Sequence, residues 1–133
     1  YAVGLAEAAR DMAVAYAKIR EQCGKPIGSF QAIKHKCADM AILAEAAWCQ
    51  TAFAAVALAK GRGDARFHAT AAKLLATDAA LKNAAQNIQV HGAYGFTADA
   101  DAHLFLKRAH VMDILAGDLR AQKAALIREP AAT

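Results

Sequence analysis

The sequence predicts an all-α protein, an up-down four-helix bundle with a short C-terminal helix. Three observations lead there. Alanine dominates the composition and only two prolines occur, and alanine is the strongest helix former while proline is the weakest. Long segments repeat apolar residues at spacings of mostly three, four and seven, the period of a helix face. Glycines, with one of the prolines, cluster between those segments.

Residues 1 to about 22 place Val3, Leu5, Met12, Ile19 and several alanines on one side of a helical wheel, with Glu7, Arg10, Asp11 and Lys18 elsewhere. Gly24, Pro26 and Gly28 end this first helix, because proline cannot donate a backbone bond and glycine permits a tight turn. Ser29 is the expected N-cap of a second helix running to about Lys60. Its expected buried stripe is Phe30, Ile33, Cys37, Met40, Ile42 or Leu43, Ala47, Phe53 and Val56. Gly61 and Gly63 stop it, and Asp64 is placed to cap a third helix reaching about Val90. That helix buries Phe67, Ala71, Leu74 or Leu75, Leu81, Ala85 and Ile88, with Asp78 on the same stripe; Asp39 and Asp78 are read as hydrogen-bonded residues at helix contacts. His91 to Phe96, with two glycines, reads as a loop. Thr97, Asp99 and Asp101 then supply an N-cap and first-turn acidity for a fourth helix to about Leu115. Gly117 interrupts it, a last helix covers roughly Asp118 to Arg128, and order is expected to end at Pro130. The first connections are short, so successive helices should be antiparallel neighbours.

The 133 residues suffice for one domain with a core. The formal charge of +4 is spread along every segment, which suits an anionic cofactor better than nucleic acid. Charged residues interrupt the apolar runs, so no membrane span is expected. The first dozen residues carry Glu7, Arg10 and Asp11 without a basic leader, which makes the cytoplasm the expected compartment. Cys23, Cys37 and Cys49 lack CxxC spacing and are read as reduced thiols. His35, His68, His91, His103 and His110 form no HxxxH or ExxH pair, so no metal site is expected.

The stretch from Tyr16 to Gln31, YAKIREQCGKPIGSFQ, resembles the Y-x-x-x-R-x-x-F-G-x-x-I-x-x-F-Q signature of acyl-CoA dehydrogenases. It is followed in family order by Lys34-His35, by Ala38-Asp39-Met40, by Ile88-Gln89-Val90-His91-Gly92-Ala93-Tyr94-Gly95-Phe96, and by His103 through Ala109. The resemblance covers essentially the whole chain and implies the family's C-terminal helical domain over residues 1–133. The N-terminal helical and middle β domains of that family are not in this sequence.

The resemblance further implies FAD shared between subunits. The cofactor-binding positions it carries over are Arg20 of the R-x-x-F-G turn, Gln89, Gly92 and Ala93 of the Q-x-x-G-G segment, Cys23 and Gln31 toward the adenine, and Asp118 where flavin approaches. The chemistry suits them. A guanidinium offers a planar fork of donors to a pyrophosphate, an amide both donates and accepts, and glycine lets backbone come close. Cys23, Ala93 and Asp118 replace the family's Phe, Gly and Thr.

Members of this family remove an α-proton from an acyl-CoA thioester with a carboxylate, in many cases a Glu of a Y-E-G-T turn. The matching residues here are Leu115-Ala116-Gly117-Asp118, so Ala116 stands at the base position and no catalytic residue is assigned. General bases contribute about a hundred- to ten-thousandfold in rate. Two expectations follow: an FAD-binding and oligomerisation domain of an acyl-CoA dehydrogenase whose base lies elsewhere, or a catalytically silent partner subunit of a heteromeric one. The family also implies dimers or tetramers and an electron-transfer partner, and this piece by itself is expected to show no turnover.

Overall fold

A computed structural model describes residues 1–129; the expected loss of order at Pro130 lies outside them. Helix α1 spans Ala2–Ile19, and a two-residue hairpin follows, β1 (Glu21–Gln22) pairing antiparallel with β2 (Lys25–Pro26). A 3-10 turn at Ile27–Ser29 leads into α2 (Gln31–Ala59), and α3 (Ala65–His91) runs back beside it. A second 3-10 turn, Gly92–Phe96, precedes α4 (Ala102–Ile114), and α5 (Leu119–Arg128) closes the bundle. The all-α bundle and its five helices stand where the sequence places them. α3 is its axis and touches each of the other four helices.

The hairpin was not anticipated. Cys23 and Gly24 both take positive φ (55° and 73°), the two-residue turn whose twist matches a right-handed ribbon. Glycine accepts that conformation freely and cysteine does not. The breakers at 24, 26 and 28 therefore build a turn of definite shape. Gly28 is required for a second reason: a Cβ there would stand 2.9 Å from the carbonyl oxygen of Ala17, so only glycine lets this segment lie on α1.

The expected caps are corrected at three places. Ser29 belongs to the 3-10 turn, and Phe30, with no side-chain bond, occupies the cap position of α2. Asp64 does precede α3, but its carboxylate is bound by Arg62 at 2.8 and 2.6 Å and caps no amide. Asp101 precedes α4 without a side-chain bond, and the Thr97 hydroxyl donates to the Tyr94 carbonyl. Of the N-cap residues among the described residues, Asp118 alone caps with its side chain, accepting from the Ala121 amide at 2.7 Å.

The core is made of alanine. Ala6, Ala9, Ala13 and Ala17 form the buried line of α1, and Met40, Ala44, Ala47, Ala54 and Ala57 that of α2. Phe53 and Val56, expected inside, are exposed; of the alternatives Ile42 and Leu43 it is Leu43 that packs against the core, and Ile19 is 77% exposed. Small side chains let helix axes approach closely, so the facing seam selects alanine and turns larger apolar residues outward. Apolar periodicity does not distinguish the two. Asp39 is exposed and Asp78 pairs with Lys82 at 2.7 Å near the surface, so neither is the buried polar residue expected.

Among the described residues the buried polar ones are instead Thr77, Asn83, Asn87 and His91, all on α3. Asn83 donates to the carbonyls of Ala6 (3.0 Å) and Met40 (2.9 Å), tying three helices at one point. Four residues on, the Asn87 amide reaches the Met12 sulfur at 3.3 Å. After four more, the His91 ring stacks on Tyr16 with centroids 4.1 Å apart. These three rungs ascend α1 and α3 in the same direction, as alternating helices of an up-down bundle must.

Among the described residues, α2 alone is long and apolar enough to cross a membrane by length and composition, with a mean hydropathy of 1.5 over 18 residues. The interrupted apolar runs point the other way, but Glu45 is the sole charge between Asp39 and Lys60. In the bundle one side of α2 packs on α1 and α3.

Candidate cofactor groove

α1 ends because Arg20 turns extended (φ −73°, ψ 124°), its amide donating back to the Tyr16 carbonyl at 2.9 Å. Its own carbonyl accepts from Ile27 at 2.7 Å, which folds the hairpin against the helix end. On the opposite wall α3 ends at Gly92, with φ 64° and ψ −144°, a conformation open to glycine and rare for any other residue. Gly95 permits the turn to close: a Cβ there would meet the Ile88 carbonyl oxygen at 2.8 Å and the His91 Cβ at 2.9 Å. Between the two walls lies a groove of about 990 Å³.

The groove gathers Arg20 and Cys23 from one wall with Gly92 and Ala93 from the other. Four of the seven expected positions thus meet, though 69 residues or more separate the first two from the last two in sequence. Gln31 and Gln89 do not line it. Both are exposed, at the first turn of α2 and the last of α3, while their neighbours Phe30 and Val90 do face the groove. Lys25 stands over the Phe30 ring at 4.6 Å, adding a second cation beside the Arg20 end.

Sequence reasoning missed Tyr16 and His91 as groove residues. Tyr16 was present only as the first letter of the motif, and His91 only as a motif and loop residue and as a metal-ligand candidate. The Met12–Tyr16 and Asn87–His91 spacings, four residues on each of two parallel helices, were the available signal.

Asp118 lies apart, at the N-terminus of α5. The turn it follows contains Ala116 and Gly117, both at positive φ (59° and 95°). Asp113 Oδ1 accepts from the Leu119 amide at 2.9 Å, and Asp118 Oδ1 from Ala121. Both carboxylates that flank Ala116 are therefore engaged in starting α5. The Gln122 amide also donates to the Ala116 carbonyl, so this turn is bound down on both sides.

Residues 1–129 match the family profile described as acyl-CoA dehydrogenase, C-terminal domain. The chain belongs to the acyl-CoA dehydrogenase family. As a member it is 52% identical over 110 residues to acyl-CoA dehydrogenase FadE34 of Mycobacterium tuberculosis, an alignment covering 82% of this chain and 16% of that protein. Among solved structures it is similar to butyryl-CoA dehydrogenase from Megasphaera elsdenii, with a TM-score of 0.88 and 34% identity over 96% of this chain and 34% of that one. It is also similar to a chain in the structure of the electron transferring flavoprotein of Acidaminococcus fermentans, with a TM-score of 0.91 and 35% identity over 96% of this chain and 33% of that one. The acyl-CoA dehydrogenase domain described here thus spans about a third or less of the length of these relatives.

Proposed function

We propose that this chain is the C-terminal FAD-gripping and oligomerisation domain of a flavin-dependent acyl-CoA dehydrogenase. The observation that carries the reading is the meeting of Arg20 with the Gly92–Ala93 turn across one groove. The groove's residues suit a dinucleotide. Arg20 supplies a permanent cation with paired donors for a pyrophosphate. A Cβ built on Gly92 would meet nothing within 4 Å, so the turn is open to a ligand's approach. Phe30 and Tyr94 give apolar faces to a flat ring. Gln31 and Gln89, at the rim, suit the outer parts of a nucleotide held between this chain and another.

Bound FAD supplies the acceptor for hydride from the β-carbon of an acyl-CoA thioester. This chain's residues hold and orient it: Arg20 neutralises phosphate charge, and the hairpin and the Gly92 turn form opposite walls. Asp118 is proposed only to face the cofactor from its place at α5, where its carboxylate already caps a helix. Association with a second copy or a homologous subunit, and with an electron-transfer partner, completes the proposal.

A second reading is favoured by the α4–α5 turn. Ala116 has no proton acceptor, and Asp113 and Asp118 are committed to helix capping. A catalytically silent subunit paired with an active homologue accounts for this turn without further assumption.

Titration of FAD against the full-length protein tests the first reading. Arg20→Ala should weaken binding about tenfold to a hundredfold, as expected for one charge-assisted phosphate contact. Equal affinity of Arg20→Ala and parent would reject the groove as the cofactor site. If FAD binds but dehydrogenation of acyl-CoA thioesters appears only on coexpression with a homologue, the second reading stands.

A further inference from the structure

We propose that the stacked rings of Tyr16 and His91 position the two walls of the groove, setting the span between Arg20 and the Gly92–Ala93 turn. The inference deepens the FAD reading and rests on it for its functional consequence.

Tyr16 lies one turn before Arg20, and its carbonyl accepts the Arg20 amide. Whatever moves Tyr16 moves the guanidinium's anchor. His91 immediately precedes Gly92, and its ring is held on three sides. Nδ1 lies 2.8 Å from the Asn87 carbonyl, which can only accept, so Nδ1 carries the proton and the ring's orientation is set. Its Cβ sits against Gly95, where no larger residue fits. Its face lies on Tyr16 at 4.1 Å with planes 23° apart.

The stack is the last of the three rungs joining α1 to α3 and the only one that faces the groove. Below it, Asn83 and Asn87 lock the register of the helices by hydrogen bonds. Beyond it, both chains leave helical geometry, Arg20 into the hairpin and Gly92 into the 3-10 turn. At this end the core narrows to Ala17, Met40 and Val90 with Ile27 and Ile33 packed against them, and the ring stack joins the end of α1 directly to the residue before Gly92. Tyr94, with its ring 6.2 Å from Tyr16 and 15° from parallel, continues the stack toward the rim.

The test uses the full-length protein carrying Tyr16→Leu, His91→Leu, both together, Tyr16→Phe or His91→Phe, with helical content checked by circular dichroism. Without ligand, the Leu variants should accelerate hydrogen exchange at the Gly92 and Ala93 amides while α2 amides keep parental rates. FAD affinity should fall about tenfold in each Leu variant and no further in the double variant, since one coupled stack of this type contributes on that order. Tyr16→Phe, which keeps the ring, should bind as the parent does. His91→Phe keeps an aromatic ring but loses the Nδ1 anchor and should loosen the same two amides even if the Leu variants fail to fold. Unchanged exchange at Gly92 and Ala93 in the folded variants overturns the proposal, as do affinity losses that multiply in the double variant. If parent and Arg20→Ala bind FAD equally, the cofactor reading fails separately, and the exchange rates alone decide whether the rings position the walls.

Discussion

Asn83 shows how much one side chain can decide. It is fully buried and its amide serves carbonyls on two other helices, at Ala6 and Met40. Asn83→Leu should lower unfolding free energy by about 3 kcal/mol, because two buried carbonyl bonds are lost and a branched side chain must occupy an alanine-lined site. Urea unfolding measures this, and a loss under about 1 kcal/mol would mean that the amide is not a core determinant. Residues of this kind were poorly legible in the sequence. Asp78 attracted notice because it lay on an apolar stripe, whereas Asn83 and Asn87 were passed over, since periodicity ranks a residue by its face and not by its bonds. Arg20, Cys23, Gly92 and Ala93 were legible from the motif, and Gln31, Gln89 and Asp118 were placed in the same set although the fold puts them outside the groove.

Helices were predicted well in extent and less well in their ends. The α2–α3 connection illustrates the difference, and it carries a pH dependence. Arg62 holds the Asp64 carboxyl at about 2, well below its ordinary 3.8, by a direct hydrogen bond aided by charge attraction. His68 stands 3.4 Å from the same carboxylate and edge-on to Phe53, so the pair organises the start of α3. A carboxyl depressed in the folded state contributes stability that is complete above its unfolded value and is lost as pH falls through its folded value. The contribution of this connection should therefore persist down to pH near 4 and disappear between about 4 and 2. Arg62→Ala should flatten that part of the stability profile while leaving the neutral-to-basic side parallel to the parent. An unaltered acid limb in thermal melts would show that the ion pair does not couple to folding. A cap read from sequence is a statement about residue type, and here the local competition between Arg62 and the helix amides decided its outcome.

Across the whole molecule the apolar surplus is on the outside. Ile42, Trp48, Phe53, Val56 and Leu58, all on α2, are exposed, Trp48 at 52%. Ile42, Phe53 and Val56 fall on one side of the α2 wheel, and an exposed apolar side of this kind marks a surface that other protein covers. The chain should be at least a dimer in solution, and Trp48→Glu with Phe53→Glu should shift light-scattering mass toward the monomer with helicity retained. A monomer across a wide concentration range for the parent would contradict this. The sequence by itself determined the helical class, the number and order of the helices, and the family, because alanine content, glycine breaks and motif order are local properties of the chain. Only the tertiary structure decided which apolar residues are core, which carboxylates are already engaged, and that Tyr16 and His91 meet. Those outcomes depend on how closely the axes of α1, α2 and α3 approach, and axis separation follows from side-chain size at facing positions that no single helix specifies alone.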